Sequence, residues 1–175
     1  MGPLGSYKKA TTAFLSLKPL MSKVNEQITK WIEDISMLKE ELGGFSVCPF
    51  AKQAKYKIVE CNINDIIPID GYDVIIFVVE RNLTSEILKN WSKIYNEEYP
   101  EWKFFEDSAD IDTYIAKIRT NNGKYNLIIA QPREKLRKYR EILSKTNYYD
   151  YWSREYLEEV LEEDVKIVDQ GIETP

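Results

Sequence analysis

The chain has 175 residues, with 24 Lys and Arg against 29 Asp and Glu and no histidine. That length suits one domain with a substantial core, and a formal charge of -5 argues against a general nucleic-acid binder, which carries a basic excess over one face. Without histidine, Ser-His-Asp triads, Cys-His nucleophile pairs and histidine metal sites are excluded within the chain.

No apolar run reaches the roughly 18 residues of a membrane-spanning helix, and no charged segment followed by an apolar one opens the chain. The expected location is therefore the cytoplasm, with no membrane partner. Cys48 and Cys61 do not make a disulfide framework in a chain this long and read as reduced thiols. Residues 1–6, MGPLGS, read as an expression-tag scar, which leaves 7–175 as a single domain. From Tyr7 the residue types are mixed, and the Pro19 ring stops a helix from running through, so a short arm is expected.

Helical spacing begins at Ser22, with Val24, Ile28, Trp31, Ile32, Ile35, Leu38 and Leu42 recurring every three or four residues until Gly43 and Gly44 end the run. In the next stretch, SVCPFAKQAK (46–55), Ser46 or Cys48 can open a short helix with Pro49 in its first turn, where the missing N–H costs nothing. Strands are predicted at 56–61, rich in β-branched residues, and at 73–80, DVIIFVVE, apolar almost throughout and so covered on both faces. Thr84 caps a helix over 85–98 that turns Ile87, Leu88, Trp91, Ile94 and Tyr95 inward. A strand at 102–106 follows, then a helix over 110–119 with Ile111, Tyr114, Ile115 and Ile118 on one stripe, then a strand at 125–130. A basic helix after Pro132 reaches about Lys145, and an acidic helix runs over 149–163. The alternation β-α-β-α-β predicts an α/β fold: one domain, about four strands in a parallel or mixed sheet, covering helices, an N-terminal amphipathic helix and a C-terminal helical pair.

In open sheets ligands collect beyond the carboxyl ends of the strands, here the loops Glu80-Arg81-Asn82, Glu106-Asp107-Ser108 and Gln131-Pro132-Arg133. Arg81, Gln131 and Arg133 can orient a ligand there, and Arg133 falls in a helical first turn beside backbone N–H groups that attract anions. Helix capping and loop solvation account for the same residues. No Gly-x-Gly-x-x-Gly or Walker sequence is present, so no cofactor is implied. Glu106, Asp107, Asp110 and Asp112 can gather around a hard cation or simply cap and solvate, and without EF-hand spacing no metal site is assigned.

Cys48 has two readings. At a helix N-terminus, with Lys52 one turn later, the thiolate is favoured, and Cys48 with Lys52 becomes a catalytic pair. Alternatively, Cys48 is a small apolar residue packed under the first helix.

The string CPFAKQAK resembles the active-site turn of monothiol glutaredoxins, with Ala51 where a second cysteine would stand. The later Thr-Val-Pro and double-glycine segments of that family have no convincing counterparts here. Trp31-Ile32-Glu33 followed by Val47-Cys48-Pro49-Phe50-Ala51 is similar to an uncharacterised bacterial family with a tryptophan-bearing first helix and a Leu-Cys-Pro-Phe-Ala signature. That similarity covers the first third of the chain, lacks the family's later histidine-containing segment, and implies a fold and a candidate residue but no reaction.

The C-terminal third carries its own signal. Arg133, Arg137 and Arg140 share a helical face beside Leu136, Tyr139 and Leu143, suited to phosphate, carboxylate or an acidic partner, the nearest being the acidic segment 155–164 of the chain itself. Tyr148, Tyr149, Tyr151, Trp152 and Tyr156 are dense enough for a stacking wall, a partner surface or a core. Two functions are expected. The first is a binding or interaction module that uses the basic helix and the aromatic cluster, chiefly Tyr149 and Trp152, to take a protein partner or a second copy. The alternative is a small enzyme or thiol-dependent modifier centred on Cys48 with an anionic substrate; nucleic acid is the least favoured ligand.

Overall fold

The structure, a computed structural model, describes residues 22–158. The expected scar at 1–6, the arm after it and the acidic residues beyond Glu158 lie outside the described residues. Helix α1 (Lys23–Ser36) starts where the Ser22 hydroxyl accepts a hydrogen bond from the Asn25 N–H, and it buries Ile28 and Ile32.

The helix ends six residues short of Leu42. Lys39 and Phe45 pair across a tight loop in which Gly43 and Gly44 take φ of 62° and 85°, and those left-handed turns fold the chain back on itself. Leu42 is consequently buried on a separate 3-10 turn (Glu40–Leu42), while Leu38 bridges to Ser46 and stays 76% exposed. The next stretch is a run of turns, with the Ala51 N–H bonded to the Cys48 carbonyl at 3.1 Å, and no continuous helix forms.

Strand β1 (Tyr56–Glu60) pairs in parallel with β2 (Val74–Val79), register Tyr56 to Val74. Helix α2 (Ser85–Glu98), capped by Thr84, crosses to β3 (Trp102–Asp107). A small hairpin, β4 (Tyr114–Ile115) and β5 (Ile118–Arg119), precedes β6 (Asn126–Pro132), and α3 (Arg133–Ser144) follows directly. The four-stranded sheet has the order β1-β2-β6-β3, with β6 antiparallel to both neighbours. The fold is thus α/β with a mixed sheet, and its single helical crossover is α2.

The hairpin replaces the helix expected over 110–119. Local polar side chains favour the extended form: the Thr113 and Thr120 hydroxyls meet at 2.6 Å across the strands, and the Asn121 carbonyl oxygen accepts from the Thr113 N–H and from Arg119 Nε. Ala116 takes the tip at φ 52°, and the supposed inward stripe is split, with Ile115 buried and Tyr114 55% exposed.

Alternation along β2 sends Ile75, Phe77 and Val79 to one face, under Leu88 and Tyr95 of α2, and Ile76 and Val78 to the other, under Ile28 and Ile32 of α1. Helix α3 starts from the end of β6 and packs on the side of α1. The expected acidic helix does not begin at Tyr149: a 3-10 turn (Tyr148–Tyr151) stands there, and helix resumes at 154–158. Among the described residues no helix is long and apolar enough to cross a membrane.

Candidate functional site

The antiparallel course of β6 decides where the polar loops go. Asn126, at its start, is fully buried and donates to the carbonyls of Glu80, Arg81 and Leu83 while accepting from the Ala109 N–H, so the loops after β2 and β3 are tied together at one end of the sheet. Gln131 to Arg133, at its finish, lie at the opposite end. The three loops expected to share one edge therefore do not.

At the Asn126 end every candidate is engaged with the protein itself. Arg81 makes a two-pronged bond to Asp110 at 2.7 and 3.0 Å, and Asp112 pairs with Arg119. Glu106 accepts from the Ser92 hydroxyl, and Asp107 accepts from the backbone and side chain of Asn122. The described residues hold no group of three or more carboxylates and thiols arranged for a metal ion.

The other end holds a cavity of about 290 Å³ between α1, the Cys48 turn, the sheet, α3 and the segment after α3. Helix α1 contributes Trp31 and Ile35, the sheet Ile76, Ile129 and Gln131, and the turn Cys48 and Phe50. From α3 come Lys135, Leu136, Tyr139, Arg140 and Leu143, one inward stripe at helical spacing. The last wall is Tyr148, Tyr149, Trp152 and Tyr156.

These walls are braced by ring packing. Phe50 stacks on Tyr139 with centroids 4.0 Å apart, joining the turn to α3. Tyr148 and Tyr149 both meet Trp152 edge-on, and Trp152 stacks on Tyr156 at 4.9 Å. The Tyr148 hydroxyl donates to the Val47 carbonyl at 2.5 Å, and burial pushes that phenol far above the usual tyrosine range. On the first wall, Trp31 donates its indole N–H to the Thr120 carbonyl at 3.0 Å.

Burial also pushes the Cys48 thiol up, against the opposite pull of the Phe50 and Ala51 backbone N–H groups bonded to it. The amides are placed as the helix-start reading requires, yet desolvation outweighs them. Lys52 is exposed, and the causes acting on the Cys48 thiol are its burial and those two backbone N–H groups. Cys61, beside Asp65 and Glu80, is pushed up to about 11, chiefly by burial. Both cysteines therefore stay protonated thiols near neutral pH.

Of the expected ligand residues, Gln131, Arg140, Tyr149 and Trp152 line this cavity together with Cys48. Arg81, Arg133 and Arg137 do not. Arg133 turns to the α2 side, where its guanidinium donates to Asn96, and Arg137 is exposed. The shared arginine face is thereby dispersed, with Arg140 at the cavity, Arg133 toward α2 and Arg137 in solvent. Lys138 pairs along the helix with Glu134, and Lys145, just past its end, with Glu141.

Two features of the site had no reading in advance. Asp73, just before β2, pairs with Lys135 and accepts from the Lys55 N–H, which holds its carboxyl below the usual range. Such a pair, 62 positions apart, leaves no local pattern. Phe50, by contrast, was within reach of sequence reasoning, since an aromatic next to Cys-Pro in a turn needs a cover. No family model, curated protein or solved structure matches the chain.

Proposed function

We propose that the protein is a binding module whose aromatic cavity takes a small, largely apolar ligand. The observation that carries this reading is the cavity itself: about 290 Å³ walled by Trp31, Phe50, Tyr139, Tyr149 and Trp152, with few polar groups among them. Pockets of that size and lining are those in which small molecules bury most of their surface. The Cys48 enzyme reading is less favoured, because burial raises the thiol and works against the thiolate it needs.

A fluorescence titration with the neutral dye N-phenyl-1-naphthylamine tests the reading. Saturable one-to-one binding is expected, weakened about tenfold by Trp152→Ala, since an aromatic contact with a ligand contributes on the order of 1 kcal/mol or more. Ile94→Ala, on the exposed side of α2, should leave it unchanged. Absence of saturable binding, or equal binding by folded Trp152→Ala, removes the proposal.

A further inference from the structure

We infer that β1 is a docking edge: its open side pairs antiparallel with β1 of a second copy, joining two four-stranded sheets into one continuous sheet. The inference is independent of the cavity and of what the cavity binds.

A strand's backbone groups point alternately to its two sides, so the bonds made on one side fix which groups are left for the other. On β1 the Cys61 N–H donates to the Val78 carbonyl and the Lys55 carbonyl accepts from the Val74 N–H, so the odd-numbered residues of 55–61 face β2. Tyr56, Ile58 and Glu60 therefore turn their N–H and C=O groups outward. Among the described residues nothing bonds to those groups. The opposite edge differs: on β3 the Asn96 side chain takes both the N–H and the carbonyl of Phe104. One edge is thus covered from within the chain, and the other is left as a template.

The sequence of β1 suits a second copy of itself. A two-fold axis through Ile58 sets Ile58 against Ile58 of the second copy and Tyr56 against Glu60 of the second copy, each pair exchanging two hydrogen bonds. That register uses every outward residue. It also brings the basic end of one strand to the acidic end of the other. Lys55 and Lys57 are exposed and lie over the ring of Tyr72, while Glu60 and Asp65 are exposed and accept from the Ser22 hydroxyl and the Asn62 amide, contacts that bring no opposite charge to any of the four. A parallel arrangement would set like charges together.

The hand of the fold argues against the chain's own residues before Ser22 as the occupant. Helix α2 carries the chain from β2 to β3, which is parallel to it, and the connection from β1 to β2 runs over the same face through Ile63 and Ile66. Both moves go the same way along the sheet, so both have the same hand. The Ser22 hydroxyl is bonded to Glu60 at the end of β1, so a strand leading into α1 along this edge would run parallel to β1 and cross on the opposite face. Its hand would be the reverse, which parallel crossovers almost never adopt.

The test is sedimentation equilibrium of the full chain together with residue-resolved amide exchange. The apparent mass should double across about 1 to 200 µM chain, the range suited to a small contact. Over the same range the Ile58 and Glu60 amides should gain about tenfold protection. Proline is tolerated where a strand's N–H faces outward, so Glu60→Pro should keep the fold by circular dichroism and stay a monomer throughout. Ile94→Ala, on the exposed side of α2, should dimerise as wild type does. Should Glu60→Pro fail to fold, the concentration dependence of Ile58 exchange in wild type decides alone. A chain that stays monomeric overturns the inference, and so does a dimer whose Ile58 and Glu60 amides exchange freely. Protection of those amides that is complete in the monomer overturns it as well, and gives the edge to residues of the same chain.

Discussion

Asp107 ends β3 with one carboxylate oxygen accepting from the backbone and side-chain N–H groups of Asn122 and the other, Oδ1, buried without a hydrogen-bond partner among the described residues. Burial is the main cause that pushes its carboxyl up to about 6, aided by Glu106, against the pull of the Asn122 donors and the Arg119 guanidinium. A folded-state value above the unfolded one means that the unfolded chain releases the proton first as pH rises. The contribution of Asp107 to stability is therefore full below about pH 4 and is lost as pH climbs through 6. Asp73 and Asp110, both held low by cations, act in the opposite sense, so the effect is read as a difference between variants. Between pH 4.5 and 7.5, urea unfolding should show Asp107→Asn gaining about 1–3 kcal/mol relative to wild type. A difference that is flat with pH would mean that Asp107 is ionised as readily in the fold as out of it.

Among the elements, β3 is the sheet edge that faces solvent beside α2, and α2 itself closes it. The Asn96 amide accepts from the Phe104 N–H at 2.9 Å and donates to the Phe104 carbonyl at 3.0 Å, standing where a neighbouring strand would pair. Arg133 then donates to the same Asn96 oxygen, which draws α3 into the brace. Asn96→Ala should cost about 1–2 kcal/mol in thermal or urea unfolding, the usual effect of losing two such bonds. It should also raise concentration-dependent light scattering, because the edge of β3 becomes a template for a second chain. An equally soluble variant of unchanged stability would show that water replaces the amide at no loss. The same scale explains what could be read in advance. Helix α2 and strand β2 were legible because a cap, an apolar stripe and an apolar run are local signals. The β4–β5 hairpin was not, because Ile111, Tyr114, Ile115 and Ile118 imitate a helical period, while the bonds that decide otherwise run across a turn from Thr113 to Thr120.

For the whole molecule, the contact that matters is the hydrogen bond from Tyr148 to the Val47 carbonyl, which joins positions 101 apart and closes the cavity at its rim. Tyr148→Phe leaves the Val47 carbonyl without that donor and should destabilise the fold by about 1–2 kcal/mol. Amide exchange should accelerate at Cys48 and Ala51 more than in α2, since the turn loses its tie to the C-terminal segment. Uniform acceleration throughout the chain would instead mean that the turn opens only with global unfolding. The aromatic residues of the site were visible in sequence as a group, yet their meeting with Cys48 and Gln131 was not. That meeting depends on β6 running antiparallel, which brings Gln131 and the start of α3 to the end of the sheet opposite Asn126.

The position of β6 also sets a timetable. A ribosome delivers β1, β2, α2 and β3 first, and at that moment β2 and β3 face each other across a gap one strand wide. Each of the two long antiparallel ladders of the sheet needs residues 126–132, so neither can form until more than two thirds of the 175 residues have been synthesised. Until then Phe77, Val79 and Phe104 have an unfinished floor, and the nascent chain is most vulnerable to sticking to its neighbours in the interval before β6 slots into the middle.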